Sequence, residues 1–272
     1  MRGPWNKYLQ VIRVGIQNTL AYRVNFLARA CFGLIPLMAT ISLWKAVYAG
    51  KGPDTPIGPY TLAGMISYYL YVTFVDALTS VTEDDWQVAS DIKDGRISQF
   101  LIKPIEYLPY RLCLFFSGRL VYASVALIPA VGFGIYLREY WVLPADLETW
   151  LALMISLAMA ALLQFFISCT VAFLAFWVAE VSTFIFIVFA IEHLASGHLF
   201  PLDILPPAVA KLAAWTPFHY QLFFPISIAL GNTQGLDLWR GLAAQAGWVL
   251  AAWGLARWVW ARGIRNYTAV GG

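Results

Sequence analysis

Residues 150–178, WLALMISLAMAALLQFFISCTVAFLAFWV, contain no Asp, Glu, Lys or Arg. About 20 consecutive apolar residues let a helix cross the hydrocarbon core of a bilayer, so this stretch predicts a membrane span. The whole chain has a similar composition: of 272 residues, 60% are hydrophobic and 12% are charged, against about 25% charged in globular proteins. The composition excludes a soluble enzyme and a disordered chain, and it predicts a single integral-membrane domain over residues 1–272.

Five further apolar stretches lie on either side of this span. They predict, with it, six transmembrane helices in an all-α fold, the other five at residues 26–47, 60–81, 112–137, 182–199 and 238–260. Residues 1–25 carry apolar side chains every three or four positions, which predicts an amphipathic helix in the membrane interface. Residues 200–232 are apolar but are broken by prolines, which favours a re-entrant helical segment between spans five and six over a clean span.

The basic residues predict the orientation, because they concentrate on the cytoplasmic side of membrane proteins. Six spans place both termini and the 82–109 loop on one side, which we expect to be cytoplasmic. Thirteen of the 18 basic residues then lie on that side: Arg2, Lys7, Arg13, Arg23, Arg29, Lys93, Arg96, Lys103, Arg111, Arg119, Arg257, Arg262 and Arg265. The net charge of +3 is too small to indicate a nucleic-acid partner.

Sequence motifs for catalysis and metal binding are missing. The chain has no phosphate loop of the GxxxxGK[ST] form, no GxGxxG, no HExxH and no CxxC. Two of its three histidines, His193 and His198, are five residues apart, which does not place them on one helical face as metal ligands. We therefore expect no catalytic residue, no metal site and no cofactor in this chain.

The loop at residues 82–109 carries the strongest local signal. Thr82 followed by acidic residues has the form of a helix cap, the helix should end near Lys93, and Asp94-Gly95 indicates a turn. A second short helix should present Ile97, Phe100 and Leu101 as an exposed apolar patch, which suits the groove of a partner protein. An ordinary connector lying against the bilayer is the alternative interpretation.

Three segments resemble those of type-2 ABC exporter permeases. Residues 91–104, DIKDGRISQFLIKP, are similar to the family's I-x-x-G-x-L-x-x-x-L-x-x-P pattern, with Ile97 in place of leucine. Residues 196–206, SGHLFPLDILP, followed by TPF at 216–218 and Pro225, resemble the block after its fifth span. The C-terminal RNYTAVGG at 265–272 is similar to the tail of the subgroup with about 260 residues and no fused ATPase.

The resemblance implies a function that the spacing alone does not. It implies a permease of the bacterial cytoplasmic membrane, surrounded by lipid, that pairs with a second or related permease copy. Each copy would dock an ATP-binding cassette subunit that binds ATP and Mg²⁺ and powers export. The residues that the resemblance places in contact with that subunit are Asp91, Asp94, Gly95, Arg96, Ile97, Phe100, Leu101 and Pro104.

Four ionisable or amide side chains within the spans are candidates for the translocation path. They are Asp76, Gln164, Glu192 and His193, since charged groups inside a membrane normally face a cavity or a partner. A carboxylate that reaches towards the interface is the other interpretation of Asp76. For Glu192 and His193 the alternative is a local polar contact that holds the re-entrant segment.

Three rival functions remain open from the sequence. A proton-coupled secondary transporter would use Asp76, Glu192 and His193 as a relay, although the chain shows no inverted repeat. A membrane enzyme would use His193 and Glu192 as a base and its partner, but adjacent helical residues point about 100° apart. A membrane anchor without transport activity would look similar in sequence.

Overall fold

The computed structural model describes residues 5–50, 52, 54–80 and 84–267, and all regular structure in them is helical. Eleven α-helices follow one another in these residues: α1 Trp5–Leu20, α2 Arg23–Ala49, α3 Leu62–Thr79, α4 Asp84–Lys93, α5 Ser98–Leu101, α6 Tyr107–Tyr136, α7 Leu147–Ala172, α8 Ser182–Ala195, α9 Pro207–Ala214, α10 Phe223–Ala229 and α11 Gly235–Asn266. The all-α prediction is confirmed.

Four helices in the described part of the chain are long and apolar enough to cross a membrane. They are α2, α3, α6 and α7, the last continued by a 3-10 turn to Phe176. Helix α8 is apolar, but its 14 residues span only about 21 Å at 1.5 Å per residue. Helix α11 is long, with 32 residues, but it mixes polar and charged residues with its apolar ones. The four-helix count leaves the six-span topology a prediction.

The N-terminal helix is shorter than its sequence pattern indicates. Helix α1 ends at Leu20, a turn occupies residues 21–22, and residues 23–25 already belong to α2. Helix α1 packs along α6, where the Ser117 hydroxyl donates to the Ile12 carbonyl at 3.2 Å. Gly15 faces Ser117 so closely that an added Cβ would lie 2.9 Å from the serine Cβ. Residues 1–4 lie outside the described part of the chain.

Helices α6 and α7 organise the packing. Helix α6 contacts α1, α2 and α3, whereas α7 contacts α3, α4, α10 and α11. One apolar core gathers α3 and α10 around Tyr68 and Ile226. A second core gathers α4, α6, α7 and α11 around Phe115, Phe165 and Phe173. The helix that leads into the predicted contact loop, α4, is therefore part of the second core.

The proline-rich segment between α8 and α11 is broken into short helices, as predicted. It contains α9, α10 and 3-10 turns at Leu202–Ile204 and Pro217–Tyr220. Tyrosines of α3 hold its first part: the Tyr68 hydroxyl donates to Gly197 O and the Tyr69 hydroxyl to Leu199 O, both at 2.7 Å. The chain after α8 thus runs along α3. Whether it re-enters the membrane stays a prediction.

Candidate functional site

Helices α4 and α5 form a tight hairpin with the turn at residues 94–97, and we call residues 84–101 the α4–α5 hairpin. Helix α4 ends at Lys93, as predicted, while Thr82 and Glu83 of the predicted cap lie outside the described residues. Gly95 has a φ of 73°, a conformation that glycine adopts without steric cost. The Ile97 amide then donates to the Asp91 carbonyl at 3.1 Å. The Asp-Gly pair therefore makes the reversal possible.

Arg96 stabilises the turn through ion pairs with two aspartates. Its Nη2 lies 2.6 Å from Asp94 Oδ2, and its Nε lies 3.5 Å from Asp91 Oδ1. The Ser90 hydroxyl also donates to Asp94, at 2.8 Å. The hydrogen bond from Ser90, followed by the bond and charge of Arg96, lowers the pKa of Asp94 below its ordinary value. Asp94 is thus an ionised acceptor that organises the tip of the hairpin.

Asp91 joins the hairpin to the transmembrane bundle. Its Oδ2 accepts a hydrogen bond from the Tyr107 hydroxyl at 2.9 Å and lies 3.9 Å from Arg111 Nη1, both on α6. The Tyr107 ring in turn stacks on Trp260 of α11, with centroids 4.8 Å apart and an interplanar angle of 6°. A displacement of the hairpin would therefore pull directly on α6 and, through the stacked rings, on α11.

The prediction that Ile97 belongs to an exposed apolar patch on the second helix is wrong. Ile97 is fully buried in the second core, because the turn folds this residue back under α4. Phe100 is half-buried, with its ring 5.2 Å from that of Tyr107. Leu101 ends α5, and its side chain is outside the described part of the structure. Pro104 accepts a hydrogen bond at its carbonyl from Lys7 Nζ at 2.5 Å.

Among the side chains described at residues 84–104, the most exposed apolar one is that of Ile102, which directly follows α5 and is 85% exposed. The sequence motif does not include it. The helical periodicity could have indicated part of this result. Ile97 and Leu101 are four residues apart and share one face of a helix, whereas Ile102 is rotated by about 100° from Leu101 and points away from that face. In place of the predicted patch, the structure thus has the exposed Ile102 side chain, followed along the chain by the exposed Lys103.

A second polar cluster lies where α8 ends beside α3. Asp76 Oδ1 lies 2.9 Å from His198 Nε2, and His198 Nδ1 lies 2.6 Å from the Ser196 hydroxyl. The His193 ring stacks on the His198 ring at 4.3 Å and 9°. Sequence analysis selected Asp76 and His193 but not His198, which follows the helix and meets Asp76 only through the tertiary fold.

Glu192 and Gln164 meet between α8 and α7. The Gln164 amide donates to Glu192 Oε2 at 3.3 Å, and the Gln221 amide donates to Gln164 Oε1. Glu192 thus points towards α7, while the adjacent His193 points towards His198. Of the four predicted path residues, Gln164 and Glu192 contact each other, while Asp76 and His193 each contact His198. Within the described residues, no group of three or more His, Cys, Asp or Glu side chains could hold a metal ion.

Comparison with known protein families shows to which family this chain belongs. A family model described as "ABC-2 family transporter protein" matches residues 34–271. The chain belongs to the ABC-2 transporter family. The family match covers both polar clusters and the α4–α5 hairpin, and it confirms the resemblance found in the sequence. None of the curated proteins compared with this ABC-2 protein is similar enough to count as a match. Family membership implies the membrane permease of an ABC transporter.

Proposed function

We propose that this ABC-2 protein is the membrane-spanning subunit of an exporter powered by ATP. A separate ATP-binding cassette subunit binds ATP and Mg²⁺, hydrolyses the nucleotide and docks on the α4–α5 hairpin. The permease lies in the bacterial cytoplasmic membrane with both termini cytoplasmic, and it works with a second identical or related copy. In this proposal α8 and α11 are the fifth and sixth spans, and residues 200–232 dip into the outer leaflet.

The observation that carries the proposal is the rigid attachment of an exposed hairpin to the bundle. Asp91 joins the hairpin to Tyr107 and Arg111 at the start of α6. Next to this attachment, Arg96 in the turn is exposed, and so is Ile102, which directly follows α5. A surface that has exposed side chains and is bonded to α6 can transmit a push from a docked ATPase to the spans.

A substitution of the exposed Ile102 tests this proposal. We expect Ile102→Asp to leave the permease folded, because the side chain is exposed, and to abolish most of the ATPase-dependent transport by placing a charge in the docking contact. The matched control is Leu143→Asp, since Leu143 is also an exposed apolar residue, 55% accessible, but lies in the loop after α6. Transport in vesicles that contain the co-purified ATPase would be measured. Equal transport by the two variants would contradict docking at the hairpin.

The proton-coupled transporter remains the second candidate because Asp76, His198 and His193 form a continuous set of titratable contacts. An ionophore that collapses the proton gradient separates the two functions. An ATP-driven exporter keeps transporting in energised vesicles that contain ATP, whereas a proton-coupled transporter stops. Transport that requires the gradient and proceeds without ATP would replace our proposal by the second candidate.

A further inference from the structure

A cavity of about 220 Å³ lies between α4, α7 and α8. Asp85 and Trp86 of α4 line it, together with Ile185, Phe186 and Glu192 of α8. Since Ile185 and Glu192 are seven residues apart on one helix, the cavity extends about 10 Å along α8. It therefore leads from the hairpin side of the bundle to one of the predicted path residues.

Two polar groups in the wall of this cavity, the Glu192 carboxylate and the Ser168 hydroxyl, are incompletely hydrogen-bonded. Among the residues that the structure describes, Glu192 makes no salt bridge, and its hydrogen bond from Gln164 is long, at 3.3 Å. The Ser168 hydroxyl, which belongs to a residue of the cavity wall, is buried without a hydrogen-bond partner. Within a membrane, a carboxylate and a hydroxyl in such surroundings are costly unless a ligand or another group pairs with them.

The remaining wall is aromatic and aliphatic. Phe186 and Phe189 of α8 line it together with Ile167 and Val171 of α7. The Trp86 ring meets the Phe186 ring at 5.8 Å in an edge contact. Aromatic faces attract cations through their quadrupole, and apolar walls favour a lipophilic body. The carboxylates of Asp85 and Glu192, both in the lining, repel an anion of the same size.

We infer that the cavity between α4, α7 and α8 binds a lipophilic organic cation. Its positive charge lies at Glu192 and its apolar body lies against Phe186 and Phe189, with Ser168 available for a polar substituent. That this ligand is the exported substrate rests on the proposed function. The binding itself requires only the permease, because every lining residue belongs to this chain.

Binding of two probes that share a shape but differ in charge tests the inference. Phenyltrimethylammonium is the cation and benzenesulfonate is the anion, each a phenyl ring with a tetrahedral charged head group that a cavity of about 220 Å³ can hold, and calorimetry on the purified full-length permease in a neutral detergent measures saturable binding of each. We expect saturable binding of the cation and none of the anion. Glu192→Gln removes the charge but keeps an amide oxygen for Gln164, and it should weaken binding of the cation at least tenfold. Glu139→Gln, an exposed carboxylate after α6, should bind as the unaltered protein does.

The binding measurements test the cavity independently of the proposed export function. Saturable binding of the anion with equal affinity, or no binding of the cation, would overturn the inference without the use of any variant. Unchanged binding by Glu192→Gln would also overturn it. Ile102→Asp should bind the cation normally while it fails to transport, so a failure of docking and a failure of this site give different results.

Discussion

Gly197 is the residue at which backbone conformation and packing restrict the sequence most. It has a φ of 94°, and an added Cβ would lie 2.5 Å from the Tyr68 hydroxyl, which is bonded to the carbonyl of the same glycine. A non-glycine residue in this conformation costs roughly 1–3 kcal/mol. Gly197 also lies between Ser196 and His198. A shift of the backbone here would therefore displace the His198 ring, which bonds Asp76, and the Ser196 hydroxyl, which bonds that ring.

We therefore expect Gly197→Ala to lower the free energy of unfolding by about 1–3 kcal/mol, measured by thermal unfolding in detergent. Gly132→Ala in α6 is the control, because nothing lies within 4 Å of its Cβ position. Alanine in a helix interior is favoured over glycine by about 1 kcal/mol, so the control should be neutral or stabilising. Equal melting temperatures for the two variants would contradict the constraint at Gly197.

Asp94 gives a prediction about pH. Its pKa in the folded hairpin lies below the ordinary value of 3.8, chiefly through the hydrogen bond from Ser90 and then through Arg96. A lowered folded-state pKa contributes stability that is complete above the unfolded-state value and is lost as the pH falls through the folded-state value. Hydrogen exchange of residues 90–97, corrected for the intrinsic rate, should therefore show the same protection at pH 7 and pH 5.

Asp94→Asn should reduce that protection already at pH 7, because the neutral amide cannot pair with Arg96 in the same way. Asp146→Asn at the start of α7 is the control, since this exposed carboxylate caps a helix far along the chain from the hairpin. A wild-type hairpin that loosens between pH 7 and pH 5 would show that another group holds the turn.

At the scale of elements, two isoleucines of the hairpin region differ in burial: Ile97 lies within the hairpin, and Ile102 directly follows it. Ile97 is completely buried in the second core, whereas Ile102 is 85% exposed. Truncation of a buried isoleucine to alanine removes contacts and leaves a cavity, at a cost of about 2–5 kcal/mol. Ile97→Ala should therefore lower the melting temperature of the permease clearly, and Ile102→Ala should leave it nearly unchanged. Similar melting temperatures for the two would place Ile97 outside the core.

Helix α8 buries few of its side chains against the rest of the molecule. Of its side chains, Ile185 is buried, while Phe186, Phe189 and Leu194 are each more than half exposed. One face of this helix lines the cavity that ends at Glu192, and its last residue is followed by the Asp76 cluster. An element with few buried contacts can move at low cost, which suits a helix that borders a binding site.

At the scale of the whole molecule, the proposal predicts a complex of two permeases and two ATPases. Native mass spectrometry of the tagged protein, purified in mild detergent from its own organism, should give this composition. In the proposal the ATPase is a separate subunit, and residues 1–272 carry no phosphate loop of the GxxxxGK[ST] form. A permease that purifies without any nucleotide-binding chain would contradict the proposal and leave the second candidate.

The hydrogen bonds of Gln245 show what a sequence pattern misses at this scale. Gln245 is completely buried in α11, and its amide donates to the carbonyls of Ser156 in α7 and Tyr220, both at 2.9 Å. It therefore joins two long helices to the broken segment between α8 and α11. Gln10 also has an apolar residue on either side but is exposed on α1, so the adjacent residues alone do not decide burial.

The sequence by itself determined the features that depend on neighbouring residues. Apolar runs, proline breaks and the Asp94-Gly95 turn act within a few residues, so they predicted the helical membrane class, the broken segment and the end of α4, and the motifs indicated the family. The tertiary structure alone decided which side chains meet: Asp76 and His198 are 122 residues apart, and Ile97 turned inwards while Ile102 remained outside. The physical reason is that burial and pairing depend on how distant helices pack, whereas helix formation and its interruption depend on local backbone chemistry.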